Sequence, residues 1–90
     1  MDYLRSQIET LIFCANSPIK AKDIQLALAE MLGTKLNLRD VKKDITALVE
    51  KYQSEEFTFE ICNLANGYQF LTKPNYHKII EVYLGQKSRR

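Results

Sequence analysis

Apolar residues in the first half of the chain recur at the three-and-four spacing of a helical face. Leu4, Ile8, Leu11, Ile12 and Ala15 mark a first helix. Phe13 projects about 180° away from Leu4 at roughly 100° per residue, so it either tucks against the next segment or contacts another chain. Asn16-Ser17-Pro18-Ile19 ends this helix, because the residue before a proline is driven toward extended geometry. Ile19 reads as a one-residue stub of strand. Ile24, Ala27, Leu28 and Met31 share one face of a second helix over Ala21 to Leu32, with Gly33 as its stop and Leu26 off the face. Lys20 occupies the N-cap position without a capping side chain. Asn37 caps a third helix, helped by Asp40 in its first turn. Its buried stripe is Val41, Ile45, Leu48 and Tyr52, widened by Leu38 and Val49, and its outward face carries Arg39, Lys42, Lys43, Thr46 and Glu50.

The period then changes from three-and-four to two. Phe57, Phe59 and Ile61 alternate with Thr58, Glu60 and Cys62, which predicts a strand with one buried face. Leu64 breaks the parity and predicts a bulge near Cys62-Asn63 or a change of face. Ala65-Asn66-Gly67 supplies a tight turn, with Asn-Gly as the pair expected to take positive φ, and Tyr68 to Thr72 returns with Tyr68 and Phe70 on one face. Pro74 suits a first helical turn, and Tyr76, Ile79, Ile80, Tyr83 and Leu84 form the stripe of a last helix that Gly85 is expected to stop. The predicted class is α+β, mainly α: a winged helix-turn-helix of three helices, a two-stranded β-hairpin wing and a C-terminal helix. Residues 1–86 make the winged-helix domain, and 87–90 a basic tail or the start of a linker.

Charge changes how such a fold is read. The 90 residues hold 13 basic and 11 acidic side chains, a net of +2, but Lys87, Arg89 and Arg90 fall in the last four positions. Residues 1–86 therefore carry 10 basic and 11 acidic groups, a net of −1. A protein that lives on the phosphate backbone needs a concentrated positive face, since counterion release supplies most of its non-specific affinity. Arg39, Lys42, Lys43 and Thr46 are the DNA-contact candidates on the third helix, but Asp40, Asp44 and Glu50 interleave them as a mixed-charge solvated face. The hairpin from Phe57 to Lys73 has only Glu60 and Lys73 as charges.

Composition excludes most chemistry. Hydrophobic residues at 46% and charged residues at 27% are those of a globular domain, and no apolar run approaches the roughly 20 residues of a membrane span. The N-terminus has no signal-peptide pattern, so a cytoplasmic address is expected. Cys14 and Cys62 form no metal-type spacing and read as buried free thiols. His77 is the only histidine, so neither a metal site nor a catalytic triad is expected, and no cofactor or small-molecule ligand. Phe13, Leu26 and Leu71, off the main stripes, are the candidate protein contacts.

Two stretches carry a family resemblance. Ile8-Glu9-Thr10-Leu11-Ile12-Phe13, closed by Ser17-Pro18-Ile19, resembles the opening of the segregation and condensation protein B (ScpB) family. The hairpin through Gly67-Tyr68 and then Thr72-Lys73-Pro74-Asn75-Tyr76 is similar to that family's wing, which makes Gly67, Tyr68, Thr72, Lys73, Pro74 and Tyr76 the signature positions. Asn66 stands where the family often has glycine, Lys20 where a small hydroxyl residue is common, and Gln69 and Leu71 where basic residues often flank the return strand. The resemblance implies a non-catalytic adaptor in bacterial chromosome condensation and segregation. It implies a homodimer working with the kleisin ScpA and an SMC ATPase at the nucleoid, touching DNA only through the complex. It further implies an N-terminal domain, with the family's second winged helix outside these residues. A winged-helix transcriptional regulator is the alternative.

Overall fold

The computed structural model describes residues 3–88. Helices α1 (Tyr3–Cys14), α2 (Ala21–Leu32) and α3 (Leu38–Lys51) precede strands β1 (Phe59–Leu64) and β2 (Gly67–Thr72), and a 3-10 turn at Pro74–Tyr76 leads into α4 (His77–Ser88). This is the winged helix expected from the sequence. The core lies where α1, α2 and α3 meet under the hairpin: Ile8, Ile12, Ile24, Leu28, Val41, Ile45, Leu48 and Ile61 are buried there. The ends follow local chemistry. Asn37 Oδ1 accepts from the Arg39 N–H at 2.9 Å, and Gly33 turns left-handed at φ 69° to stop α2. Lys20 makes no side-chain cap.

The hairpin decides between the two alternatives for Leu64 in favour of a change of face, and departs from expectation at its turn. Its register runs unbroken from Phe59 opposite Thr72 to Leu64 opposite Gly67, so there is no bulge. Leu64 simply lies on the outer face with Cys62 and Leu71, because directly opposed residues share a face. Positive φ falls on Ala65 (49°) and Asn66 (63°), a two-residue turn one position earlier than Asn66-Gly67. Gly67 is reserved for a different task. A Cβ there would sit 2.9 Å from the Pro18 carbonyl carbon and 2.9 Å from Pro18 Cβ. That close approach lets Ile19 bridge to the wing, with Ile19 N–H donating to Tyr68 O at 2.9 Å and Tyr68 N–H donating to Ile19 O at 2.8 Å. The strand stub predicted at Ile19 is this bridge.

Other departures concern exposure. Cys14 is exposed and Cys62 half-buried, because the first ends α1 at the surface and the second lies on the outer side of β1. Ala27 and Met31 are exposed although they share the α2 face with Ile24 and Leu28, which reach the core together with Ala21. Gly85 does not stop α4, which continues to Ser88 without a left-handed residue. A glycine inside a helix costs about 1 kcal/mol but ends it only where φ turns positive. The predicted tail thus contributes Lys87 and Ser88 to the helix, and its remaining two positions lie outside the described residues.

The most consequential departure is α4 itself, in which no residue is fully buried and Ile80 alone is half-buried. The radius of gyration is 15.6 Å, whereas a compact chain of this length has roughly 12 Å. A projecting α4 accounts for the excess.

Candidate protein-interaction surface

Two polar contacts fix α1 against α3. Arg5 donates from Nε and Nη2 to Asp44 Oδ1, each at 3.1 Å. Asp44, expected on the solvated face of α3, is only 8% exposed and faces Arg5. The second contact is Tyr52, whose hydroxyl donates to Glu9 Oε2 while Lys51 Nζ reaches the same oxygen at 3.4 Å. Lys51 also stands 5.1 Å above the Tyr52 ring and 5.9 Å above that of Phe57.

Burial first, then the hydrogen bond and charge of Glu9, push the Tyr52 phenol up from 10.0 to about 12. The sign follows from proton linkage. Above pH 10 the unfolded chain releases the phenolic proton while the folded one keeps it, so stability is full below pH 10 and falls as pH rises to about 12. Urea midpoints at pH 9 and pH ~11.5 check this. Tyr52→Phe is expected to lower stability at pH 9 by about 1 kcal/mol and to show the smaller loss between the two pH values.

Tyr52 organises an aromatic group with Phe57, Phe59 and Phe70, at centroid distances of 4.6, 5.5 and 5.0 Å. Phe13 meets its edge, 6.2 Å from Phe70, yet stays 71% exposed. Phe13 thus packs by one ring edge against the wing rather than the segment that follows α1, and the rest of the ring faces solvent. A shallow notch lined by Glu9, Thr10, Phe13, Tyr52, Phe59 and Phe70 opens there. Leu26, on the outer face of α2, and Leu71, on the outer face of the wing opposite Glu60, are exposed but lie apart from it.

Four of the signature residues, Thr72, Lys73, Pro74 and Tyr76, lie together at the joint between body, wing and α4. Lys73 Nζ donates to Ser54 O at 2.8 Å, and its N–H donates to Thr58 O at 2.9 Å. His77 Nε2 lies 3.2 Å from Thr72 O, Pro74 starts the 3-10 turn, and Tyr76 N–H donates to Lys73 O at 2.9 Å. Gly67 and Tyr68 dock the opposite end of the wing. The string sets where the wing sits and where α4 departs.

The basic candidates form no comparable site. Arg39, Lys42 and Lys43 are exposed on α3, but the Thr46 hydroxyl donates to Lys42 O at 3.0 Å within its own helix. Asp40 is exposed beside them. Among the described residues no three His, Cys, Asp or Glu side chains are placed to hold a metal. Burial and the Glu60 carboxylate push the Cys62 thiol up, away from a reactive thiolate. No helix among the described residues is long and apolar enough to cross a membrane.

What the surface offers is apolar. Ile79, Val82, Tyr83 and Leu84 on α4 are exposed together with Phe13, Leu26, Met31 and Leu71. The α4 group was missed as a contact because a clean stripe in sequence does not reveal whether its own domain covers it.

Residues 6–90 match the family described as segregation and condensation complex subunit ScpB. The chain belongs to the ScpB family. It is 35% identical over 83 residues to the segregation and condensation protein B of Moorella thermoacetica, covering 92% of this chain and 40% of that relative. It therefore spans well under half of the relative's length. Among solved structures, ScpB from Mycobacterium tuberculosis has a TM-score of 0.78 at 16% identity, over 100% of this chain and 54% of that one. A dimer of the ScpB N-terminal domain complexed with ScpA peptide has a TM-score of 0.75 at 17% identity, over 92% and 93% of the two chains. At those identities the two structures speak for the ScpB fold alone.

Proposed function

We propose that this domain is a non-catalytic adaptor of the bacterial SMC–kleisin complex, working in chromosome condensation and segregation at the nucleoid. It associates with a second copy of itself and with the kleisin ScpA, and meets DNA only through the complex. The observation that carries this reading is the surface, where exposed Phe13, Leu26, Ile79, Tyr83 and Leu84 stand on a body whose charges are mixed in sign. Such side chains on a small domain suit contact with protein. The wing offers no cation beyond Lys73, and Lys73 is held by Ser54. Membership of the ScpB family and the dimeric, ScpA-bound state of its structural relative support the same reading.

The test is capture of a kleisin fragment by the immobilised chain, with a duplex DNA titration alongside. Retention of the kleisin and no duplex binding at about 50 mM salt are expected. Loss of the kleisin together with DNA binding whose salt slope flattens in Lys42→Ala/Lys43→Ala would favour the regulator instead. Four phosphate contacts correspond to a slope of roughly −3.6.

A further inference from the structure

The outer flank of α2 carries a groove whose floor is apolar and whose walls bear only one sign of charge. Lys22, Gln25, Leu26 and Ala29 fall within an arc of roughly 100° along α2, and Lys35 and Leu36 of the connection to α3 close the other side. Local structure holds the groove open. Gly33 turns the chain back at the end of α2, and Gln25 Nε2 donates to Leu36 O at 2.7 Å, which ties the connection across the helix flank. Leu36 is half-buried and rests on the core, Leu26 is 56% exposed, and the short side chain of Ala29 leaves a depression between them. Among the described residues neither Lys22 nor Lys35 makes an ion pair. Asp23 and Glu30 of α2 lie outside the groove lining. Lys22 moreover stands in the first turn of α2, an end that disfavours a cation and here has no side-chain cap.

We infer that this groove docks an acidic segment of another protein: one apolar side chain enters between Leu26 and Leu36, and carboxylates on either side of it meet Lys22 and Lys35. This contact is additional to the second copy and the kleisin proposed above. Complementary charge sets which partner is accepted, and the apolar floor supplies the anchor. The groove encloses about 250 Å³, below the roughly 300–1,000 Å³ of small-molecule sites, and suits a side chain or two of a peptide. Nucleic acid fits less well. A phosphate backbone brings nothing apolar for the floor, and two cations fall short of a concentrated positive face. A second copy of this chain fits no better, because its acidic loop at Glu55-Glu56 is followed by Phe57, whose ring is already stacked 4.6 Å from that of Tyr52.

The test is fluorescence anisotropy of a labelled peptide of about 12 residues, leucine along one helical face and glutamate elsewhere, titrated with the 90-residue chain. Binding at or below about 100 μM is expected, at least about tenfold tighter than for the same peptide with glutamine in place of glutamate. It should weaken as salt rises from about 50 to 500 mM. Lys22→Glu/Lys35→Glu and Leu26→Glu should each weaken it at least about tenfold, whereas Lys42→Glu/Lys43→Glu, an equal change of charge on the outer face of α3, should alter it less than about twofold. All five side chains are exposed, so the variants should keep the helical circular dichroism and urea midpoint of the unaltered chain. Kleisin capture and solution mass should be the same in Lys22→Glu/Lys35→Glu as in the unaltered chain. Equal binding of the glutamate and glutamine peptides, or an equal loss in Lys42→Glu/Lys43→Glu, overturns the inference. So does duplex DNA that binds more tightly than the peptide and is lost in Lys22→Glu/Lys35→Glu. Loss of the kleisin in that variant overturns it too, by giving the groove to the kleisin, and leaves the adaptor reading in place.

Discussion

Gly67→Val is expected to be among the most damaging single substitutions in the domain, with a loss of at least about 3 kcal/mol. A Cβ at that position already lies 2.9 Å from two Pro18 atoms and 3.1 Å from the Ile19 carbonyl carbon. Neither side can yield cheaply, because the obstructing atoms are largely backbone held by the Ile19–Tyr68 bridge. Overpacking of this kind costs about 1–3 kcal/mol, and separating the bridge removes two backbone hydrogen bonds of about 1 kcal/mol each. A small domain has only roughly 5–15 kcal/mol in hand. Urea unfolding followed by circular dichroism measures the loss. The informative control is Ala65→Gly. Ala65 holds φ at 49°, a left-handed conformation that costs a non-glycine residue about 1–2 kcal/mol. Glycine there should be neutral to stabilising, so the two neighbouring positions respond in opposite directions.

Ile45→Ala is the second large effect, a loss of about 2–5 kcal/mol. Ile45 is 1% exposed in the cluster where α1 and α2 close on α3, and deleting its methyl groups leaves a cavity that three packed helices cannot collapse into. Ile79→Ala, a truncation of the same side chain on α4, should change stability by no more than about 0.5 kcal/mol when measured at about 1 μM. The contrast separates the isoleucine that holds the domain together from the one left for a partner. Equal losses at the two positions would mean that α4 packs on its own body.

The three helices, the hairpin and the last helix were legible because each has a regular period and a chemical boundary. Asn37, Gly33 and Pro74 act where their side chains say they should. The stub at Ile19 was also legible, since Pro18 forces the chain to extend before α2 begins. What sequence could not convey was long-range contact. Asn66-Gly67 has the composition of a turn, but Gly67 is claimed by Pro18, almost fifty residues earlier, and the turn shifts onto Ala65-Asn66. Asp44 looks like one more surface acid until Arg5 arrives from α1. The α4 stripe has the spacing of a core helix and lacks a core to face. Phe13, Leu26 and Leu71 were singled out for falling off their stripes, whereas the larger apolar surface lies on a stripe.

The wing illustrates how charge decides between readings of one fold. In a DNA-reading winged helix it would carry cations to the phosphates. Here β1 and β2 contain Glu60 as their only charged residue, and the adjoining Lys73 closes the loop before β1. The proposed adaptor role follows from that balance of apolar and charged surface.

The most direct measurement is the mass of the 90-residue chain in solution at about 100 μM, a concentration at which even weak association is populated. Twice the mass of a single chain is expected, returning to the single-chain mass on dilution. A single-chain mass throughout, with no retention of a kleisin fragment, would contradict the proposal that this surface exists to be bound by protein.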